Sequence, residues 1–263
     1  MALGLRERVA VIGGGSKGLG RACADSLAKE GANLAICSRN EEELDQTAKE
    51  IIAAFGVDVL PVAADLSRLE GIQTLIQSTV DRFGKLDILI NNSGGPPAGR
   101  AAGTTDEVWQ LSIDMALMFF IRMSREAVPH MKRFKWGRIV NVLASSVYQP
   151  IDNLVTSGVT RLGAVAFAKS LADEVGRDNI LVNNVAPGYL LTDRMMHIFE
   201  TRSNETGSNV EDLLQAHSAT IPVGRLGRPE ELGDLVTFLT SDKNTYTTGA
   251  TILVDGGVVR SVM

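Results

Sequence analysis

Short runs of β-branched residues alternate with longer amphipathic segments along the whole chain. This alternation constrains the fold more than any other feature, because it is typical of βαβ units, in which helices join parallel strands. Seven runs are predicted as strands: 8–12, 33–37, 57–62, 86–91, 138–143, 180–184 and 251–254. Seven strands fit one sheet, so we expect an α/β fold built around a parallel sheet.

Four helix starts are predicted between these strands. In a capping box, a side-chain acceptor precedes the helix and a carboxylate follows three residues later. The predicted boxes are Asn40 with Glu43, Ser67 with Glu70 and Thr104 with Glu107, and Pro229 followed by two glutamates marks the fourth start. No linker-like tract or repeat interrupts residues 1–263, so we predict a single domain.

One stretch, residues 193–222, is predicted to be irregular. It lacks a strand and carries the apolar residues Met195, Met196, Ile198 and Phe199 beside polar ones. An insertion of this length after a late strand suggests a lid over the carboxyl ends of the strands. Its apolar residues favour an apolar substrate.

Composition argues against several classes of partner. With 263 residues, 44% of them apolar, the chain can bury a core without a disulfide or a metal. A net charge of -5 and the lack of a basic block argue against nucleic acid. The longest apolar run, residues 115–121, is far shorter than the roughly 20 residues of a membrane helix. Cys23, Cys37 and three scattered histidines lack metal-ligand spacing, so we expect no metal and a reducing cytoplasm.

A glycine-rich segment, residues 13–20, joins the first predicted strand to the first predicted helix. Its sequence is Gly-Gly-Gly-Ser-Lys-Gly-Leu-Gly. Glycines at such a turn allow backbone amides and the helix dipole to meet a diphosphate without a Cβ in between. The spacing of Gly14, Gly18 and Gly20 differs from Gly-x-Gly-x-x-Gly, and a tight corner alone would also use glycine. Further motifs downstream favour a dinucleotide site.

Taken together, the motifs resemble those of the short-chain dehydrogenase/reductase family, and the likeness covers nearly the whole chain. In family order they are the glycine turn, Asp65, residues 91–94 (Asn-Asn-Ser-Gly), Pro187-Gly188 with Thr192, residues 225–230 and residues 254–257. The pattern is most similar to 3-oxoacyl-carrier-protein reductases. The resemblance implies a doubly wound Rossmann sheet of order 3-2-1-4-5-6-7 with helices on both faces.

The resemblance also implies which residues contact the cofactor. Asp65 and Leu66 would flank the adenine, residues 92–94 would line the sugar region, and residues 187–192 would hold the nicotinamide. The full set is Gly14, Ser16, Lys17, Gly18, Leu19, Ser38, Arg39, Asp65, Leu66, Asn92, Ser93, Gly94, Arg161, Pro187, Gly188, Leu190 and Thr192. Asn91 and Asn92 have a second interpretation, in which they hydrogen-bond backbone between strands.

Charge near the second strand favours NADP(H) over NAD(H). An NAD site has an acidic residue about 20 positions past the glycine turn, whereas the 2′-phosphate of NADP requires a cation. Here Ser38 and Arg39 end the strand, and Lys17 adds a second cation. Alternatively, Arg39 is a solvated surface charge and the acidic residues 41–43 repel a phosphate.

The family's four catalytic positions all differ from the family pattern. The family uses a Tyr, a Lys four residues later, a Ser thirteen residues earlier and an Asn in the preceding long helix. The matching residues here are Ser157, Arg161, Ala144 and Ala116, and no Tyr-x-x-x-Lys exists anywhere in the chain. A serine hydroxyl is a far weaker acid than a phenol, so Ser157 alone cannot shuttle protons near neutrality.

Other groups remain as candidates for the chemistry. The guanidinium of Arg161 has donors for ribose hydroxyls or for a developing oxyanion. Ser145 or Ser146 could supply a hydroxyl to the substrate, or could form only local bonds at a strand end. Tyr148 could act as a replacement acid, or could be a packed side chain. The predicted catalytic residues are Ser157, Arg161 and Ser145.

Two functions therefore stay open. The chain is either an NADP(H)-dependent oxidoreductase acting on a carbonyl or alcohol, similar to 3-oxoacyl reductases, or an NADP(H)-binding relative that has lost turnover and acts as a regulatory or scaffolding subunit. We also expect a homo-oligomer, a tetramer or dimer, because the predicted helix over 155–175 is rich in small and apolar residues.

Overall fold

The computed structural model describes residues 2–262 and contains a seven-stranded sheet of order β3-β2-β1-β4-β5-β6-β7. The strands are β1 Val9–Gly13, β2 Asn33–Ser38, β3 Val59–Ala63, β4 Ile88–Asn91, β5 Gly137–Val142, β6 Ile180–Pro187 and β7 Thr251–Val254. All neighbouring strands pair in parallel. The predicted Rossmann class and strand order are confirmed.

Helices cover both faces of the sheet. They are α1 Gly18–Lys29, α2 Glu41–Phe55, α3 Leu69–Phe83, α4 Asp106–Ile113, α5 Phe119–Phe134, α6 Val155–Val175, α7 Asp193–Thr206, α8 Val210–Ser218 and α9 Pro229–Thr240. Side chains alternate along β1, so Val11 joins a core with α3, α5 and α6. Ala10 and Ile12 join the opposite core with α1, α2 and α9.

All seven predicted strands are present, but their ends differ from the prediction. The largest difference is in β6, which was predicted to end at residue 184 and continues to Pro187. Pairing with β7 causes the extension, because Pro187 lies in register with Val254. This pairing joins segments far apart in sequence, so a local sequence pattern cannot predict it.

Two of the four predicted helix starts are confirmed. Asn40 caps α2 by accepting from the Glu43 N–H at 3.1 Å. Helix α9 begins at Pro229, and the Glu231 carboxylate accepts from the Arg228 N–H at 2.7 Å.

The other two predicted helices are present, but each begins one residue later than predicted and the predicted capping residue is wrong. Helix α3 begins at Leu69, because the Ser67 hydroxyl donates back to Asp65 at 2.8 Å instead of capping the helix. Helix α4 begins one residue later than predicted, because the Thr104 hydroxyl donates to the Arg100 carbonyl at 2.7 Å.

The stretch 193–222 was predicted to be irregular, and this prediction is wrong because most of the stretch is helical. Thr192 caps α7 by accepting from the Met195 N–H, and Asn209 caps α8 by accepting from the Glu211 N–H. Phe199 is buried against the His217 ring, whereas Ile198 is 50% exposed. The helix starts in this segment are set by capping side chains rather than by an apolar periodicity. The role of the segment as a lid stays a prediction.

Three further properties concern residues 2–262 as a whole. No helix among them is long and apolar enough to cross a bilayer. No three of their His, Cys, Asp or Glu side chains converge as metal ligands. Burial of the free thiols raises the pKa of both Cys23 and Cys37 to about 12.

Candidate active site

The glycine turn between β1 and α1 fits the diphosphate of a dinucleotide. Gly14 has a φ of 59°, in the left-handed region, and a Cβ on Gly20 would lie 2.0 Å from the Gly14 carbonyl oxygen. The amino end of α1 has no side-chain cap and no acidic residue in its first turn. Its amides and its positive dipole end therefore remain available to an anion.

An acidic side chain holds two of the predicted cofactor residues. The Ser16 hydroxyl donates to Glu43 at 2.5 Å, and Lys17 Nζ lies 3.1 Å from the same carboxylate. These two hydrogen bonds, led by that of Ser16, hold the pKa of Glu43 below its usual value. An exposed ion pair of this kind contributes only about 0–1 kcal/mol, so a phosphate can compete with Glu43 for Lys17.

Arg39 is the unpaired cation at the end of β2. It is exposed and forms no hydrogen bond or ion pair within the described part of the chain. The neighbouring Ser38 hydroxyl donates to the Asn40 carbonyl at 3.2 Å. Hydrogen bonds from Ser67, with a smaller contribution from the charge of Arg39, lower the pKa of Asp65. Arg39 and Asp65 thus border the same region, at the ends of neighbouring strands.

The loop after β4 lies against the glycine turn. Asn92 Nδ2 donates to the Gly13 carbonyl at 3.0 Å, and Leu66 packs close to Gly13. The Ser93 hydroxyl donates to the Gly94 carbonyl at 3.3 Å. The residues expected beside the adenine and sugar therefore meet the turn expected beside the diphosphate.

The loop after β6 reaches the same edge. An added Cβ on Gly18 would lie 3.8 Å from Thr192 Cγ2, and the Gly188 N–H donates to the Val254 carbonyl at 3.0 Å. Leu190 is 5% exposed and packs on Gly227 in the core. The Leu190 side chain is therefore not available to a cofactor, and its carbonyl accepts from the Thr192 N–H at 2.9 Å. Leu19 is half-buried in α1, and Pro187 is buried in β6.

Asn91 has a structural role, but it hydrogen-bonds other side chains rather than the backbone between strands that the second interpretation expected. Its Nδ2 donates to Asn141 Oδ1 at 2.8 Å, and Asn141 Nδ2 donates to Asn184 Oδ1 at 2.8 Å. Asn184 in turn donates to the Thr251 hydroxyl at 3.0 Å. This row of side-chain hydrogen bonds joins β4 to β7 and fixes the strand ends that carry the site.

Ser157 and Arg161 lie one turn apart on α6 and contact each other. Arg161 Nε donates to Ser157 Oγ at 3.2 Å, and Arg161 Nη1 donates to the Val142 carbonyl at 2.9 Å. Arg161 is 5% exposed, and no carboxylate among residues 2–262 pairs with it. Burial, and then the charge of Arg194, lowers the pKa of Arg161 to about 10.

The remaining catalytic candidates lie in the segment that follows β5, whose 3-10 turn packs against α6. Ser145 is buried at the start of a 3-10 turn over Ser145–Val147, and its carbonyl accepts from the Tyr148 N–H. The Ser146 hydroxyl is buried without a partner in the described chain. Tyr148 donates its phenol to the Thr251 carbonyl, which favours the packed role over the acid role. Ala116 is buried in a π-helical turn over Asp114–Met118.

Sequence reasoning missed one cation at this edge, Arg194. It is the second residue of α7, and a Cβ added to Gly95 would lie 3.0 Å from its Nη1. Within residues 2–262 the Arg194 side chain forms no hydrogen bond or ion pair. A positive residue two places after Thr192 was the available signal.

Comparison with known proteins assigns the family. Residues 14–259 match the family model described as Enoyl-(Acyl carrier protein) reductase. A 3-oxoacyl-(acyl-carrier-protein) reductase of Staphylococcus aureus is 32% identical, covering 95% of this chain and 97% of that protein. The dehydrogenase/reductase SDR family member 4 of Caenorhabditis elegans is 30% identical over 95% of both chains. The chain belongs to the short-chain dehydrogenase/reductase family. The predicted family is thereby confirmed.

Solved structures of this short-chain dehydrogenase/reductase fold agree closely with the chain. L-sorbose reductase from Gluconobacter frateurii, complexed with NADPH and L-sorbose, has a TM-score of 0.96 and 34% identity, with all of both chains covered. An actinorhodin polyketide ketoreductase with NADPH has a TM-score of 0.90 and 30% identity, covering 96% of this chain and 97% of that one. The cofactor predicted from the sequence, NADP(H), is the one that both neighbours hold.

Proposed function

We propose that this short-chain dehydrogenase/reductase uses NADP(H) to interconvert a carbonyl compound and its alcohol. The observation that carries the proposal is the buried hydrogen bond from Arg161 to Ser157, at the carboxyl end of β5. A cation and a hydroxyl held together where this family reacts can polarise a carbonyl.

The cofactor assignment rests on the amino end of α1 and on the cations around it. The uncapped helix end would hold the diphosphate, and Arg39 with Lys17 would meet the 2′-phosphate. The NADPH complexes of the two solved neighbours support the same choice. When bound, the cofactor supplies or accepts the hydride.

The hydrogen bond from Arg161 determines what Ser157 can donate. Because Ser157 Oγ already accepts from Arg161 Nε, its own O–H is free to donate to a carbonyl oxygen. That donor stabilises negative charge on the oxygen as the hydride arrives, but it is too weak an acid to complete a proton transfer. The final proton then comes from water.

Arg161 would also hold the cofactor. Two of its three nitrogens, Nε and Nη1, donate within the protein, whereas Nη2 has no partner in the described chain. We assign Nη2 to a ribose hydroxyl or to the developing oxyanion. The guanidinium stays charged through the physiological range, because its lowered pKa is still about 10.

One substrate panel tests the function. Aldehydes, ketones and 3-oxoacyl thioesters are mixed with the protein and NADPH, and the absorbance of NADPH is followed. We expect consumption with at least one ketone or 3-oxoacyl thioester, the class suggested by the curated relatives. Tight NADPH binding without consumption of any substrate would contradict the enzyme assignment.

A second function is favoured by a specific observation. Two of the Arg161 nitrogens and the Tyr148 phenol are already bound to protein groups, and Ser157 stands at the position of the family's tyrosine, so neither Ser157 nor Tyr148 supplies the family's acid. An NADP(H)-binding regulatory or scaffolding subunit needs no such acid. It would bind NADPH and change its association with a partner, but it would leave the absorbance of NADPH constant.

A further inference from the structure

Two arginines without a carboxylate partner lie at the same edge of the sheet. Arg161 is buried on α6, and Arg194 lies at the start of α7 against Gly95. Neither forms an ion pair within residues 2–262, and Arg194 also lacks any hydrogen bond there. Burying the charge of Arg161 without a counter-charge is costly, so an anion nearby would stabilise it, whereas Arg194 is exposed and available to a ligand.

The two positive charges affect each other. Arg194 adds to the effect of burial in lowering the pKa of Arg161, and no carboxylate acts in the opposite direction. The first turn of α7 also carries Asp193, which offsets the helix dipole there. An anion beside Arg194 would relieve the repulsion between the two arginines.

We infer that the substrate of the proposed reaction carries a carboxylate, which Arg194 binds in the field of Arg161. This inference rests on the proposed function, because that function locates the substrate at this edge. A guanidinium matches a carboxylate with two parallel N–H donors. The carboxylate would orient the substrate carbonyl toward Ser157. The apolar residues of 193–222 would then face the rest of the substrate rather than its charged end.

Matched acids and esters test the inference. The probes are 2-oxopentanoate and 4-oxopentanoate, each beside its methyl ester, titrated calorimetrically into the protein loaded with NADP⁺. We expect at least one acid to bind about tenfold or more tightly than its ester, the effect of one charge-assisted contact. Equal binding of acid and ester, or no binding of either acid at millimolar concentration, would overturn the inference.

Two variants on α7 separate a specific contact from general charge. Arg194→Gln should reduce the preference for the acid about tenfold, because it removes the direct contact. Arg202→Gln removes the same charge from the same helix, where Arg202 is exposed, and should leave the preference unchanged. An equal loss in both variants would show non-specific attraction and contradict the inference.

Measuring NADPH binding separates a failure of this inference from a failure of the proposed function. If Arg194 instead binds the cofactor diphosphate, Arg194→Gln will weaken NADPH binding and leave the acid preference intact, which overturns the inference alone. If NADPH does not bind at all, the proposed function fails. The acid and ester titrations without cofactor then still report on Arg194 and Arg161.

Discussion

Arg161 Nε donates to Ser157 Oγ at 3.2 Å, and this bond makes the two side chains one unit. In the family pattern, a lysine lowers the pKa of a tyrosine that gives up its proton. In the proposed mechanism the cation orients and polarises a hydroxyl, because neither side chain titrates near neutrality. The difference changes what kinetic measurements will show.

Ionisation of Ser157 or Arg161 should not change the rate of turnover between about pH 6 and 9. The pKa of Arg161 is lowered to about 10, so the guanidinium remains charged across that range. The charge would be lost only as the pH rises through that value. A profile of kcat/KM against pH, measured with saturating NADPH, checks this. An ionisation near pH 7 to 8 would point to another acid.

Substitution of the pair should affect different steps. Arg161→Ala should weaken NADPH binding and also lower kcat by roughly 10²–10³, the loss expected for an oxyanion donor. Ser157→Ala should lower kcat less and leave NADPH binding unchanged. Arg161→Lys keeps the charge and serves as the control for folding. If Arg161→Ala leaves the kinetics unchanged, the chemistry lies elsewhere.

The preference for NADP(H) should depend on Arg39. Arg39→Asp should raise the Kd for NADPH about tenfold or more, because a hydrogen bond to a charged group contributes roughly 1.5–3 kcal/mol. It should also improve NADH binding by supplying an acceptor for the ribose hydroxyl. Fluorescence titration with both reduced cofactors measures this. Tighter NADH binding in the unmodified protein would contradict the assignment.

Glu43 provides a second test of the same site. It holds Ser16 and Lys17 in the structure, so a 2′-phosphate must compete with it. Glu43→Gln should therefore tighten NADPH binding by a few-fold and leave NADH binding almost unchanged. Glu42→Gln, on the same first turn of α2, is the matched control.

How far the sequence predicts this molecule depends on whether the signal is local. The β1–α1 turn was predictable, because glycine spacing and a strand-to-helix change are local features. The bond between Tyr148 and Thr251 spans 103 residues, and no local pattern indicates it. The contact of Arg194 with Gly95 likewise joins residues far apart in sequence, and only the position of Arg194 two places after Thr192 was a local signal. The predicted caps Ser67 and Thr104 were wrong because their hydroxyls donate to Asp65 and to the Arg100 carbonyl instead.

Tyr148 should matter for stability rather than for turnover. Tyr148→Phe removes the hydrogen bond to the Thr251 carbonyl and should cost roughly 0.5–1.5 kcal/mol of unfolding free energy. The kinetics should remain close to those of the unmodified protein. Urea denaturation and steady-state assays measure the two effects. Tyr246→Phe, at an almost fully exposed position, is the control. A large loss of kcat in Tyr148→Phe would restore the acid role.

The expected homo-oligomer should depend on the outer face of α6. Val159 and Leu162 are 55% and 53% exposed there, and Ala166 continues the same face one turn later. Leu162→Glu should shift a tetramer or dimer toward smaller species in light scattering, because it places a charge in an apolar contact. Ile52→Glu, on the exposed side of α2, should not. A stable monomer in the unmodified protein would refute the oligomer.

Restoring three of the family's four catalytic residues tests whether the frame itself is intact. Residues 157 and 161 are one turn apart on α6, and Ala144 follows β5, so Ala144→Ser, Ser157→Tyr and Arg161→Lys together place these three groups on the expected elements. General acid catalysis contributes about 10²–10⁴ in rate, so activity toward simple ketones should rise. The pH profile should then gain an ionisation below 10, because the ammonium lowers the phenol pKa. Ser157→Tyr alone, beside the unchanged Arg161, should gain less. A folded triple variant that binds NADPH but gains no activity would mean that the backbone around α6 no longer positions a phenol for this reaction.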